Sequence, residues 1–309
     1  MASANNRLIG IGSLVVGILV FSTQDAIIKA LSGDYAVTQA VVVRCIVAFP
    51  ILLCFVHLEG GLRQTASRRY RALTLRGLIL LVAYTTYYMA LAALPLAVAV
   101  ALFFTAPLFI TVLAAVFLRE PVGWRAAAAI VIGFAGVLVI TAPGFGPFEP
   151  AILLSLASAC CYAIAMVLAR KLGVSEPASV MTFYQNGVYL LGAAMIAALL
   201  NGLGLTAAAH PSLDFLIRSW SVPSLIDFGL MALCGVIAAI ASSLLTHAYR
   251  IAEANLMAVF EYSGMLWAPL WGFLFFAEVP GARVIAGAAL IIGAGLLVAL
   301  KSPAAAAAR

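Results

Sequence analysis

The sequence predicts an all-α polytopic membrane protein in which ten transmembrane helices form two inverted repeats of five. Composition is the first observation behind this prediction. Hydrophobic residues make up 65% of the 309 residues and charged residues only 9%, whereas soluble domains carry roughly 25% charged residues. The second is the division of the apolar sequence into ten segments. The third is a similarity in spacing between the two halves of the chain.

Ten apolar segments, numbered here as spans 1 to 10, are separated by short polar connections. At ~1.5 Å per residue, about 20 helical residues cross ~30 Å of hydrocarbon. The first span is too long for the core of a signal peptide and no small-residue cleavage pattern follows it, so we predict that it is a span. The spans are 8–31, 37–57, 76–94, 96–118, 125–142, 150–170, 178–200, 224–249, 255–277 and 282–300.

The connections define two halves. Spans 3 and 4 reverse at Leu94-Pro95, which must be a tight turn. Span 5 carries Gly133 and Gly136, and this pair predicts close packing on another helix. The predicted organisation is a first repeat at 1–142, an outer linker at 143–149, a second repeat at 150–301 and a cytoplasmic tail at 302–309.

Positive charge is distributed asymmetrically. If the N-terminus is cytoplasmic, thirteen of the seventeen Lys and Arg residues lie on the cytoplasmic side, and only Arg218 and Arg283 fall in outer connections. Cytoplasmic loops of membrane proteins are enriched in these residues. We therefore expect a protein of the bacterial inner membrane with both termini in the cytoplasm. This placement explains the net charge of +6 without a nucleic-acid partner.

An internal repeat relates the halves. A shift of 158 residues aligns 84–125 with 242–283 and pairs Glu120 with Glu278. The identities are sparse, but the spacing of the spans agrees. An odd number of spans per repeat makes the halves run oppositely through the membrane, which is the plan of many secondary transporters. That plan predicts a binding site between the halves, near the middle of the bilayer.

Glu261 is a single carboxylate inside an apolar stretch, residues 255–277. An ionisable group at such depth costs at least ~2.5 to 3.5 kcal/mol, so it is expected to face protein or a wet cavity. On a helix, Gly264, Ala268 and Gly272 share its face, which predicts close packing there. Two roles stay open: a site for a ligand or proton, or a carboxylate that only hydrogen-bonds a neighbouring helix.

Three charged residues are predicted near the outer side of the membrane. Asp25 and Lys29 are four residues apart on one face of span 1, and Arg44 lies at similar depth in span 2. Asp25 is expected to pair with either cation, because pairing lowers the cost of burial. Two cations with one anion leave a positive charge that would receive a substrate carboxylate or help close an outer gate. The alternative is an ion pair that only latches two helices.

Tyrosine and other polar side chains predict the lining of a central cavity. Tyr84, Tyr87 and Tyr88 share one face of span 3 at mid-membrane depth, and buried phenol hydroxyls need partners or water. For each ring alone, aromatic core is an equally good interpretation. His247 is expected near Glu261, which suggests a proton-linked pair, although a packing histidine is the commoner case. The predicted lining is Gln24, Tyr84, Tyr88, Tyr162, Gln185, His247, Glu261 and Trp267.

The sequence predicts no catalytic residue, cofactor or metal site. It contains no phosphate-binding Gly-rich loop with Lys-Ser or Lys-Thr, no HExxH and no GxSxG motif. The five cysteines, Cys45, Cys54, Cys160, Cys161 and Cys234, lack metal-ligand spacing. We expect a monomeric transporter of a small molecule, with lipid as its only other partner. A membrane-embedded enzyme or scaffold is the alternative from another class.

One block of the sequence resembles a known family. It is APLFITVLAAVFLREPVGWRAAAAIVIGFAGVLV, residues 106–139, and it is echoed in the second half around Glu278, Gly287 and Gly295. Together with the ten spans, it resembles the EamA-type branch of the drug/metabolite transporter superfamily. Within that family the chain is similar to the YddG-type bacterial exporters of aromatic and other amino acids.

The resemblance has functional implications. It implies export of hydrophobic or aromatic amino acids by alternating access, with spans 5 and 10 at the periphery of the bundle. Another activity of the same superfamily, export of cationic drugs or other small metabolites, is the alternative, with Glu261 holding the cation. Coupling to protons and the direction of net flux stay open.

Overall fold

The protein, seen here in a computed structural model, is built from α-helices. The structure describes residues 4–118, 124–141, 149–172, 176–251, 260–261 and 263–299. Glu120, most of the predicted linker and the predicted C-terminal tail lie outside these ranges. Twelve α-helices, one short 3₁₀ helix (Leu62–Thr65) and no strand occur within the described ranges, so the all-helical prediction is confirmed. The α-helices are α1 (Ala4–Leu31), α2 (Val37–Gly60), α3 (Tyr70–Ala93), α4 (Leu96–Phe103), α5 (Ala106–Leu118), α6 (Trp124–Thr141), α7 (Ala151–Leu172), α8 (Ala178–Gly202), α9 (Pro211–Ile217), α10 (Leu225–Ile251), α11 (Gly264–Phe276) and α12 (Ala282–Ala299).

The helix lengths are those of a multi-pass membrane protein. Six helices, α1, α2, α3, α7, α8 and α10, are long and apolar enough to cross a bilayer. Shorter apolar helices occupy the four other predicted segments: α4 with α5, then α6, α11 and α12. Each apolar segment of the sequence therefore coincides with at least one helix.

The fourth predicted span is two helices rather than one. α4 ends at Phe103 and α5 begins at Ala106. Between them the Thr105 hydroxyl donates a hydrogen bond to the carbonyl of Leu102 (2.7 Å). Pro107 lies in the first turn of α5, where its missing N–H interrupts no helical hydrogen bond.

The ninth predicted span has a similar irregularity. Residues 260–261 are helical, but α11 begins only at Gly264. The amide of the intervening Ser263 donates to the carbonyl of Phe260 (3.0 Å). The shift of 158 residues aligns Ser263 with Thr105, so the two irregularities fall at aligned positions of the sequence. Non-helical backbone at membrane depth is tolerated only where it is buried in protein or lines a cavity.

The neighbours of each helix follow a symmetric pattern. α3 packs on α7 and α8, and α10 packs on the corresponding helices α1 and α2 of the other half. α2 also lies against α8, and α6 against α12. Exchange of the two halves leaves this set of neighbours unchanged.

Two glycines set the approach of α6 to α12. A Cβ on Gly136 would lie 2.7 Å from the carbonyl oxygen of Gly287, and a Cβ on Gly287 would lie 2.6 Å from that of Gly136. Both distances are shorter than van der Waals contact, so any side chain would push the helices apart. The predicted close packing at Gly136 is confirmed, and its partner is the glycine in the second half.

A short helix that the sequence analysis did not predict, α9, covers one end of the bundle. Its Phe215 is fully buried, and the helix packs mainly on α3. Hydrogen bonds from the Ala208 amide and the Arg218 guanidinium lower the pKa of Asp214, so its carboxylate stays ionised at neutral pH. Arg218 also donates to the carbonyl of Ser32 (3.1 Å). The connection between α8 and α10 is thereby bonded to the turn between α1 and α2.

We expect Gly287→Ala to lower the melting temperature of the purified protein in detergent. The added methyl overpacks the contact with α6 at a cost of ~1–3 kcal/mol, which exceeds the ~1 kcal/mol that alanine gains over glycine in a helix. Gly293→Ala is the matched control, because a Cβ there has nothing within 4 Å. It should melt at or slightly above the wild-type temperature. Equal melting temperatures for the two variants would contradict the close contact.

Candidate functional site

A cavity lies between helices of the first half and helices of the second. It contains about 720 Å³ of space not filled by protein atoms, part of which is open to the outside. Both helix interruptions border it. The first does so through Phe103 and Phe104 at the end of α4, and the second through Glu261 and through Gly264, the first residue of α11. The other aromatic residues of the wall are Phe21, Tyr84, Tyr87 and Tyr162.

Glu261 is the first of two carboxylates in this cavity. Its side chain is buried, with 5% of the residue exposed. Oε1 accepts hydrogen bonds from the hydroxyls of Tyr162 (3.1 Å) and Tyr249. The predicted packed face of small residues is confirmed, since Gly264 and Ala268 are buried beside it. Both of its donors are neutral, so its charge is available to a ligand.

Asp25 is the second carboxylate. Its Oδ2 accepts a hydrogen bond from the hydroxyl of Tyr87 (3.1 Å). Among the described residues it forms no ion pair, so the expectation that it pairs with Lys29 or Arg44 is wrong. Helical spacing had placed Asp25 and Lys29 on one face, but the long Lys29 side chain extends away toward the end of the helix. Arg44 turns to Tyr88 instead.

Lys29 takes part in a cluster at the end of the bundle where α1 ends, called here the Lys29 end. Its Nζ lies 3.1 Å from Glu278 Oε1 and donates to the carbonyl of Leu94 (2.5 Å). The other carboxylate oxygen, Glu278 Oε2, accepts from the amide of Leu96 (2.7 Å). A carboxylate at a helix N-terminus is favourable because it meets unpaired amides and the positive end of the helix dipole. Leu96 also lines the larger cavity, so the cluster at the Lys29 end borders that cavity.

A smaller cavity lies on the other side of Phe21, which lines both. Arg44 contributes its only charged group among the described lining residues. Arg44 Nη1 donates to the hydroxyl of Tyr88 (2.7 Å), and the same oxygen accepts from Gln24 Nε2 (2.7 Å). Tyr189 lines this cavity and Tyr84 lines the larger one, and their ring centroids are 5.7 Å apart. A wall of aromatic rings therefore separates the two cavities.

The predicted site residues fall into three groups. Tyr84, Tyr162 and Glu261 line the larger cavity and Gln185 lines the smaller one. Gln24 and Tyr88 are buried behind the wall, where they bind each other. His247 and Trp267 are among the described residues that line neither.

The two outlying residues have other surroundings. Trp267 packs in an apolar cluster with Leu14 and Ile18. His247 forms neither a hydrogen bond nor an ion pair with Glu261, whose partner on α10 is Tyr249, two residues further on. The sequence analysis correctly expected the end of α10 to contact Glu261, but the contacting residue is Tyr249 and not His247.

One buried cation was missed altogether. Arg76 is the first residue of predicted span 3 and was counted among the thirteen cytoplasmic Lys and Arg residues, but α3 begins at Tyr70, so Arg76 lies inside the helix. Only 3% of the residue is exposed, and Nη1 donates to Gln185 Oε1 (3.4 Å). The sequence signal that could have found it is the helix-forming stretch 70–75 before the apolar run.

Comparison with known proteins connects this architecture to a family. Residues 8–142 match the EamA-like transporter family. This part of the chain is an EamA-like domain. It contains α1 to α6 and with them Asp25, Tyr84 and Arg44. The predicted relationship to the drug/metabolite transporter superfamily is confirmed.

Relatives with different substrates are similar to nearly the whole chain. The S-adenosylmethionine uptake transporter of Rickettsia bellii is 26% identical over 290 residues, 94% of this chain and 93% of the relative. The pseudopaline exporter CntI of Pseudomonas aeruginosa is 26% identical over 284 residues, 92% and 93% of the two chains. A riboflavin transporter of Vibrio cholerae is 26% identical over 278 residues, 89% and 87%. The names indicate a transporter and not an enzyme, as predicted.

We expect Glu278→Gln to loosen the Lys29 end selectively. Glutamine can still accept from the Leu96 amide, but it removes the ion pair with Lys29. A loss of about 1 kcal/mol raises local opening about fivefold. Hydrogen exchange by mass spectrometry in detergent should therefore be at least about fivefold faster in the peptides around 91–98.

The matched control is Glu59→Gln, which breaks the ion pair with Arg250 (2.6 Å) at the opposite end of the bundle. It should accelerate exchange near its own contacts and leave residues 91–98 unchanged. If both variants accelerate residues 91–98 equally, or neither does, Glu278 does not fasten the Lys29 end.

Proposed function

We propose that this EamA-like protein is a secondary carrier that exports hydrophobic or aromatic amino acids across the bacterial inner membrane by alternating access. One observation carries the proposal: the larger cavity combines two carboxylates, Asp25 and Glu261, with a wall of six aromatic rings. Pockets for small molecules are mostly apolar, with a few placed polar groups that fix orientation. An amino acid matches this pattern with its ammonium group and its apolar side chain.

The carboxylates would hold the ammonium group. Each accepts only tyrosine hydroxyls, so among the described residues neither charge is neutralised by a basic side chain. Aromatic faces nearby add an attraction for the cation, worth ~0.5–2 kcal/mol when desolvated. Phe21, Phe103 and Phe104 would contact the apolar side chain.

Alternating access requires two halves that can rock against each other around the site. We propose that residues 1–142 and 150–301 are inverted repeats. The aligned irregularities at Thr105 and Ser263 and the symmetric set of helix neighbours support this plan. In known inverted-repeat transporters, interrupted helices at the repeat interface form the binding site.

Ion pairs at the two ends would then act as alternating closures. Lys29 with Glu278 joins α1 to the end of α11, and Glu59 with Arg250 joins α2 to α10. We propose that the Lys29 end faces outward, because the basic connections lie at the opposite end. Export would require Lys29 to release Glu278 while the opposite closure forms.

Protons are the proposed coupling ion. A carboxylate that binds either a proton or the ammonium group of the substrate exchanges one for the other. Glu261 is suited to this role because the hydroxyls of Tyr162 and Tyr249 can donate to its carboxylate and can accept a hydrogen bond from its protonated form. Outward movement of substrate would then be linked to inward movement of a proton.

Export of lipophilic cations is the second candidate function. It is favoured by the sign of the charge: of the described residues that line the larger cavity, the two ionisable side chains other than tyrosine are both acidic. A drug cation carries no carboxylate group, so it needs no basic residue in its binding site. Cells that express the protein would then gain resistance to cationic dyes, and export of amino acids would be absent.

We expect purified protein in liposomes to catalyse saturable flux of labelled phenylalanine and leucine, with threonine slower because its hydroxyl is left unpaired against aromatic walls. An imposed pH gradient should drive accumulation in the wild type. In Glu261→Gln the gradient effect should fall at least about tenfold, because an amide cannot exchange a proton. Glu149→Gln, at the surface beside His210, is the control that should keep it. Absence of saturable flux for all three amino acids would refute the proposed substrate.

A further inference from the structure

Arg44 carries a buried charge that nothing in the described part of the chain neutralises. Only 3% of the residue is exposed. Nη1 donates to the neutral Tyr88 hydroxyl, the guanidinium carbon lies 5.4 Å from the centre of the Tyr189 ring, and Nε has no hydrogen-bond partner. Buried cations in proteins are normally paired, because desolvation costs several kcal/mol. The smaller cavity that Arg44 lines is a place where an anion could reach it.

The other polar side chains of that cavity already donate to protein groups: Thr182 to the carbonyl of Ala178 (3.1 Å), Asn186 to that of Cys45 (3.0 Å) and Ser242 to that of Ala238 (2.5 Å). Thr182, Gln185 and Asn186 line it from α8, and Ser242 lines it from α10. The Arg76 guanidinium donates to Gln185 Oε1 from behind and adds a second positive charge nearby. The described lining contains no carboxylate. A planar anion with two acceptor oxygens suits the guanidinium of Arg44, whose Nε has no partner.

The two cavities therefore have opposite charges and share a wall. Phe21 lines both of them. Tyr84 and Tyr189 stand across the wall from each other, and the Tyr88 ring is 6.0 Å from that of Tyr84. The Tyr84 and Tyr189 rings, with centroids 5.7 Å apart, therefore stand between the acidic and basic sites. This spacing exceeds the separation of the two charges in an ordinary α-amino acid, which share one carbon atom.

We propose that the smaller cavity is a carboxylate subsite at Arg44, and that the preferred solute is a dipolar ion whose cationic group and carboxylate are several bonds apart. Such a solute places its cation at Asp25 and Glu261 and its carboxylate at Arg44 simultaneously. The inference rests on the proposed carrier function and changes its preferred solute. An amino acid with a distal cationic group would reach both cavities, whereas the hydrophobic α-amino acids proposed above would fill only the larger one.

Binding to the purified protein tests the subsite without transport. The probes are 4-(aminomethyl)benzoate and 4-(aminomethyl)benzamide, which share the cation and differ only in the carboxylate. We expect calorimetry to show wild-type affinity for the benzoate at least about tenfold above that for the benzamide. In Arg44→Gln the two probes should bind equally, at about the wild-type affinity for the benzamide. Arg71→Gln, which removes an exposed charge, should keep the preference.

A second variant guards against misfolding of Arg44→Gln. Ser242→Asp places a carboxylate in the smaller cavity while Arg44 is kept, and it should also abolish the preference. Benzamide binding in both variants shows that the larger cavity is intact. Equal wild-type affinities for the two probes, or a preference that survives in both variants, would overturn the subsite.

Two further outcomes separate the alternatives. An inorganic anion as the natural occupant predicts that chloride or phosphate alone raises the melting temperature of the wild type and not of Arg44→Gln, with no preference for the benzoate. That result would overturn the substrate subsite. Loss of amino-acid flux in liposomes with the benzoate preference intact would refute the proposed function and leave the subsite standing.

Discussion

Within the described part of the chain, the charges buried in the middle of the protein bind tyrosines and amides and not each other. Asp25 binds Tyr87, Glu261 binds Tyr162 and Tyr249, and Arg44 binds Tyr88. A phenol hydroxyl can donate to a carboxylate or accept from a guanidinium, so tyrosine meets part of the desolvation cost of either sign. Because opposite charges are not joined directly, their fields stay available to a ligand. The two cavities and the transport proposal depend on this separation.

The ends of the bundle are arranged differently. There the charges form direct ion pairs between elements far apart in sequence, Lys29 with Glu278 and Glu59 with Arg250. Partly exposed pairs of this kind are individually weak and can be broken without a large penalty. Paired charges at the ends and unpaired charges at the centre are the distribution expected of a carrier, which must open its ends and retain a site for its solute.

Hydropathy and small residues predicted much of the fold, because both act locally. Each apolar segment contains a helix, and the glycine face of the fifth span packs as expected through Gly136. The interruption after Phe103 was missed because the sequence stays apolar through it, and only Thr105 and Pro107 mark it. The helix around Phe215 was missed because it is too short for a periodic signal.

The candidate site was only partly predictable. Spacing along α1 places Asp25 and Lys29 on one face, but it does not give the rotation of α1 against its neighbours, so the ion pair was assigned wrongly. Burial of Arg76 depends on where α3 begins, and helix boundaries are the least certain part of any sequence prediction. The partners of Glu261 come from α7 and α10, and such long-range contacts have no local signature.

Side-specific labelling tests the central claim most directly. Val100 lines the larger cavity, and the Val100→Cys variant in a background without the five native cysteines can be treated with an impermeant maleimide from either face of the membrane. The account predicts labelling from both faces, slowed by bound solute, while Leu191→Cys on the outer surface of α8, 67% exposed in the bundle and facing lipid, labels from neither. Labelling of Val100→Cys from one face only, or with no effect of any dipolar solute, would contradict a central cavity that opens alternately.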